Sequence, residues 1–258
     1  MATFVPVAPP PTSAFNDAYV KSQLTKWDLL RNMRYLVVRY TKHYHKMQGQ
    51  ELVTDLLNDP KVQEVFQVLR KGGSWAGLGG SVLRADVSLL PASLTRLDLF
   101  DKLSEASSPQ IVRANGDICK CMEDVREGFQ ISDLLREMLL VEESENAGLM
   151  SEAERGELLW RLFEHCVLGG ACCQFEDKLE PYVEVSKRLY KELVSAQKDP
   201  GSGKVGVSSV VYKINAVHQE AGPVELYPST SRQNFCYAAV DPARRVVKIL
   251  YHAFVPYW

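Results

Sequence analysis

The side chains with the most latent chemistry are six cysteines, Cys119, Cys121, Cys166, Cys172, Cys173 and Cys236, and five histidines. A thiolate attacks or ligates only when a base or a suitably spaced second ligand stands beside it. Paired zinc ligands usually have about two to four residues between them, a spacing that Cys119-Lys120-Cys121 and Cys172-Cys173 lack. A site assembled from distant residues, His165 among them, is not required by any spacing. His165 and Cys166 are neighbours in a helical stretch. They point about 100° apart there, a poor arrangement for a base and its nucleophile. His43 and His45 could share one strand face and hold a metal as a pair, but a solvated polar face explains them as well. Gly72-Gly73-Ser74-Trp75-Ala76 lacks the final glycine of a G-x-S-x-G nucleophile elbow and follows a helix-like run where the elbow needs a strand. No Lys-Ser or Lys-Thr follows these glycines, so no phosphate cradle is predicted, and Gly77-Leu78-Gly79 lacks the third glycine of a dinucleotide fingerprint. The expectation is no catalytic, cofactor-binding or metal-binding residue. A cysteine-dependent enzyme using Cys173 or Cys166 ranks last.

The candidates for binding are of another kind. Glu142, Glu143 and Glu145 surround Ser144, and phosphorylation there would deepen the negative charge. From Glu123 to Glu157 there are eleven acids and three bases. From Lys21 to Lys46 there are seven Lys and Arg and one acid, Asp28. Solvated faces account for both runs, and the acidic one could also dock a basic partner. The chain ends Phe254-Val255-Pro256-Tyr257-Trp258. Tyr257 and Trp258 either pack back on the fold or anchor a partner, since aromatics are enriched in binding hot spots.

The elements that must position these residues follow from hydrophobic period. The chain has 258 residues, 46% hydrophobic and 24% charged, with a formal net charge of −2. That is ordinary globular composition, with apolar material for a sizeable core and no basic excess to attract nucleic acid. The N-terminus does not read as a secretory signal or an Arg-rich transit peptide, and no stretch approaches the ~20 apolar residues that span a bilayer. In so long a chain the cysteines do not read as a disulfide framework.

Residues 1–14, with Pro9-Pro10-Pro11, read as a flexible Pro-rich arm that builds no core. Residues 15–258 read as a single α+β domain, with a possible subdivision near 125–130. Asn16 or Asp17 is placed to cap a helix reaching about Arg31, and Tyr35 to Tyr44 has β character. Two short helices are predicted over Leu52–Leu57 and Val62–Leu69, the second opened by Pro60. The stretch Lys71–Ser81 is a glycine-rich loop. Val82–Leu90 follows as a strand and Ser93–Leu103 as a helix, then short strands around Asn115-Gly116. Ser132 is placed to cap a helix carrying Leu134, Leu135, Met138 and Leu139. Ser151 and Glu154 match a capping box before a stripe that Gly169-Gly170 stops. A further helix is predicted from Leu179 to Gln197. Then the period becomes 2: three strands around Tyr212, Tyr237 and Ile249 form an antiparallel meander, its last turn made by Asp241-Pro242-Ala243-Arg244. The fold class is α+β, helices packed on a mainly antiparallel sheet.

Several of these stretches resemble the cilia- and flagella-associated protein 300 family. They are Ile131-Ser132-Asp133-Leu134-Leu135-Arg136, Leu140-Val141-Glu142-Glu143-Ser144-Glu145, and the run from Leu168 through Gly169-Gly170 to Asp177. The pattern continues through Pro181-Tyr182, Leu189 to Ser195, Ser208 to Lys213, Val240 to Arg245 and Ile249 to His252. The match is dense from about Ile131 to His252 and looser before it. The resemblance implies a factor for cytoplasmic preassembly of axonemal dynein arms, found in the cytoplasm and the motile cilium. Its implied partners are other assembly factors, dynein arm subunits and the intraflagellar transport machinery. It brings no catalytic residues with it. The competing reading is a structural component bound permanently to the axoneme.

Overall fold

The computed structural model describes residues 3–106 and 109–256. Its frame is a seven-stranded sheet in which every pairing is antiparallel. The main order runs Phe4–Val7, Met33–Tyr40, Val246–His252, Phe235–Asp241, Val210–Gln219, with Arg84–Leu90 on the far edge of the last. The short strand Gly222–Pro223 folds back on the end of Val210–Gln219. The C-terminal meander is therefore as read, and the fold is α+β. Its last turn forms as read too, with Asp241 Oδ1 accepting from the amides of Ala243 and Arg244 at 3.0 Å each.

Helices cover both faces of this sheet, which decides the character of the central strand. Along Phe235–Asp241 every residue is buried. Phe235, Tyr237 and Ala239 face one core, shared with the helices Ala18–Lys26, Leu158–Leu168 and Glu180–Leu193. Cys236, Ala238 and Val240 face the other, shared with Gly49–Asn58 and Pro60–Val65. Period 2 survives, but it separates two apolar faces by size rather than an apolar face from a polar one. A sheet buried on both sides reads as a near-continuous hydrophobic run.

Local signals set several helix ends. Asp17 accepts from the Val20 amide at 3.0 Å and caps Ala18–Lys26. Ser151 and Glu154 complete a capping box at Glu152–Gly156. Gly169, at φ 65°, ends Leu158–Leu168. A Cβ there would lie 2.3 Å from Cys173 Sγ and 2.7 Å from the Trp27 carbonyl, so both the dihedral and the space demand glycine.

Other expectations need correction. The segment read as a flexible arm supplies an edge strand, Phe4–Val7, with Phe4 buried. Pro6 is compatible with this place because an edge strand has one side without ladder partners. Farther along, the Ala14 amide donates to Glu192 at 2.9 Å. Val62–Leu69 is not all helix: the helix stops at Val65, and Val68–Leu69 pairs with Trp75–Ala76 across the glycine loop. Ser93 does not open a helix, because its amide and hydroxyl both donate to Glu157; helical turns occupy only Asp98–Glu105. Asp133, not Ser132, caps Leu134–Leu140. The long helix ends at Leu193 rather than Gln197, and Ala196–Lys198 instead pairs with Val205–Val207 as a hairpin. Ser195 is held there by its hydroxyl, which donates to Asp241 at 2.6 Å.

Candidate protein-binding surface

Most of the potentially reactive groups are committed to holding the fold. Arg136 is 1% exposed and Asp133 0%, a fully buried ion pair. The other arm of the guanidinium donates to the Val167 carbonyl at 2.6 Å and the Tyr182 hydroxyl at 2.8 Å. Its carbon lies 3.6 Å from the centre of the Phe175 ring. Burial alone would lower the Arg136 pKa, but the neighbouring Tyr182 hydroxyl and Asp133 carboxylate outweigh it and the group is held above its ordinary value. Tyr182 also accepts from the Glu176 amide at 2.8 Å, and Glu176 accepts from the Trp27 indole at 3.0 Å and pairs with Lys26 at 2.8 Å. The segment Leu168–Asp177 is thus a clamp between the end of the first helix and the start of the long one.

A second buried network surrounds Gln233. Its carbonyl accepts from His165 Nδ1, and its amide donates to the carbonyls of His165 and Gly169 at 3.0 and 2.7 Å, closing the end of Leu158–Leu168. With Nδ1 protonated, His165 Nε2 accepts from the Tyr237 hydroxyl at 2.9 Å. The Gln233 carbonyl oxygen of the backbone accepts from His252 Nδ1 at 2.7 Å. Burial pulls His165 down to about 3 and His252 down to about 4, so both rings are neutral at pH 7.

The thiols follow the same logic. Burial pushes Cys166, Cys173 and Cys236 each up to about 12. Cys121 is raised to about 11 by burial and by the nearby Glu137. These are protonated at neutral pH, the opposite of an activated nucleophile. His165 stacks on Phe235 with ring centres 4.1 Å apart. His43 and His45 are exposed. Among the described residues, no group of three or more His, Cys, Asp or Glu is placed to hold a metal, and no helix is long and apolar enough to cross a membrane.

Glu142, Glu143 and Glu145 stand exposed on the irregular turn between Leu134–Leu140 and Glu152–Gly156. Ser144, between them, donates to Glu137 at 3.1 Å. Asn146 fastens the turn from inside, its amide donating to the Pro109 carbonyl at 3.1 Å. Tyr257 and Trp258 lie outside the described residues. Before them Phe254 is buried, its ring centre 5.3 Å from that of Phe129.

A groove of about 520 Å³ lies on another part of the surface. Its apolar lining comes from Leu94 and Leu97, from Tyr190 and Val194 on the long helix and beyond it, and from Val205 and Val207 of the hairpin. Its charged lining is Arg96, Lys187, Lys191 and Arg244, with no Asp or Glu among the described lining residues. Sequence reading did not find it. Lys187 and Lys191, four apart, could have been placed on one helix face, but nothing local joins them to Arg96 or Arg244.

Comparison with known proteins agrees with the stretches quoted above. The sequence model of the family described as "Cilia- and flagella-associated protein 300" matches residues 1–252. A protein of that name from Chlamydomonas reinhardtii is 74% identical over 258 residues, covering 100% of both chains. One from Paramecium tetraurelia is 30% identical over 237 residues, 91% of this chain and 87% of its own. No solved structure matches. A match over nearly the whole length, with relatives of one name in two organisms, shows that this chain belongs to the cilia- and flagella-associated protein 300 family.

Proposed function

We propose that this ciliary protein is a binding factor without catalysis of its own, acting in cytoplasmic preassembly of axonemal dynein arms and their delivery to the cilium. The observation that carries the non-catalytic part is how the ionisable interior is used. Arg136, Asp133, His165 and His252 are all enclosed and engaged with the fold's own groups. The buried thiols are held protonated. What faces outward is an acidic turn and a basic-rimmed apolar groove, features suited to recognising polypeptides. The dynein-arm part rests on the family resemblance. Its partners would be other assembly factors, arm subunits and intraflagellar transport components.

Depletion from a cell that builds motile cilia tests the reading. Axonemes should then lack dynein arms in cross-section, while arm heavy chains accumulate unassembled in the cytoplasm. In normal cells the protein should leave with the detergent-soluble fraction. Retention on extracted microtubules, with arms intact after depletion, would instead establish the structural axonemal reading. Charge reversal at Glu142, Glu143 and Glu145 that left every partner bound would remove the acidic turn from the binding surface.

A further inference from the structure

The groove is unusual in how its two kinds of surface are arranged. Its apolar part draws on sequence-remote segments: the Leu94–Leu97 stretch, Leu159, the last turn of Glu180–Leu193 with Val194, and the hairpin strand Val205–Val207. Val205 is 56% exposed, a large apolar side chain left in water beside other apolar side chains. The cations are at the rim. Arg96, Lys191 and Arg244 are exposed, and Lys187 is half-buried. The acids nearest to hand only partly offset them. Lys187 pairs with Glu184 at 2.8 Å, while Arg96 stands 3.7 Å from Asp98 and Arg244 3.9 Å from Asp241. The Asp241 carboxylate is itself occupied by the Ser195 hydroxyl.

Such a rim does not suit a small charged metabolite. Sites for those converge a few fixed polar groups on one point inside an enclosed cavity. Here the charges are spread around an open depression on long, solvated stems. A nucleic acid would need aromatic platforms for its bases, and Tyr190, the sole aromatic among the described lining residues, is 6% exposed. An apolar floor with dispersed positive charge instead complements a chain that alternates apolar anchors with carboxylates. Taking the protein-binding reading above as its ground, we propose that this groove docks an acidic, apolar-anchored peptide segment of a partner protein.

The full-length protein is tested against fluorescently labelled 16-residue peptides by anisotropy. One is built of alternating Leu-Leu and Glu-Glu pairs, one replaces every Glu by Lys, and one replaces every Leu by Gly. The Leu/Glu peptide should bind saturably, and its affinity should fall as salt rises, because rim charges act through a screened field. The double variant Arg96→Glu/Lys191→Glu alters exposed side chains only. It should weaken binding at least tenfold with an unchanged circular dichroism spectrum. Val205→Asp should weaken binding by a similar factor through the floor.

Three results would overturn the assignment: no saturable binding of the Leu/Glu peptide, equal binding by either control peptide, or equal binding by the double variant. Displacement of the peptide by a short oligothymidine at the same concentration would count against it too. Any of these leaves the assembly reading intact if depletion still strips dynein arms, so the two can fail separately.

Discussion

His165 and His252 carry no function that the surface uses, yet they make the fold sensitive to acid. Both are neutral in the native core, pulled down to about 3 and about 4 by burial. In the unfolded chain a histidine takes up a proton near pH 6.5. Below that value the unfolded state binds protons that the native state refuses, so stability is present in full above about pH 6.5 and lost as pH falls toward the native values. At pH 5 each ring should cost roughly 2 kcal/mol. Most unperturbed carboxylates are still ionised at that point, so the histidines dominate this window. Urea midpoints at pH 7 and pH 5 check the expectation. A midpoint that does not move would mean that both rings accept protons in the folded protein. Among the described residues the Nε2 atom of His252 is buried without a hydrogen-bond partner, so a proton placed there would meet no acceptor.

Elements are joined here by a few expensive contacts. Arg136 ties its own helix to the end of Leu158–Leu168 through Val167 and to the long helix through Tyr182. Arg136→Ala leaves Asp133 as a buried, unpaired charge, and such losses are typically about 3–5 kcal/mol. Ser151→Ala, at an exposed capping box, should cost only about 1 kcal/mol. Thermal denaturation of the two variants side by side measures the contrast. Equal shifts would show that the clamp is not where the helical layer is held. This difference was not visible in the primary structure. A capping box spans four residues and announces itself. Arg136, on a helix whose leucines were expected to face inward, is of a type that almost never lies fully buried unless paired.

At the scale of the whole molecule, sequence legibility follows the distance between partners. Asp17, Ser151, Gly169 and the Asp241 turn act on neighbours within a few residues, and each was readable. The meander was readable because its strands follow one another with a period of 2. Phe4–Val7 was missed because prolines nearby suggested an arm, while its partner Met33–Tyr40 lies beyond a helix. The groove was missed because it draws on residues from Leu94 to Arg244. The acidic turn is exposed where the sequence placed it, but nothing in its spacing told of the basic groove elsewhere. Deleting residues 1–8 should remove the buried Phe4, worth about 2–3 kcal/mol, and leave Met33–Tyr40 as an unprotected edge. Lower melting temperature together with concentration-dependent light scattering is the expected result. A variant that stays monomeric with unchanged melting would show that the first strand is dispensable.

The position of Val246–His252 has a consequence for how the protein is made. It sits between Met33–Tyr40 and Phe235–Asp241, so the last of the described strands in chain order is an interior one. Until residues 246–252 have been made, the strand Met33–Tyr40 has no neighbour on that side, and neither apolar layer has its full backing. Completion of the sheet must wait for residues 246–252 to emerge. A premature stop codon before position 246 therefore yields not a shortened protein but a chain lacking the middle of its sheet, the kind of product that holdase chaperones retain and proteases clear.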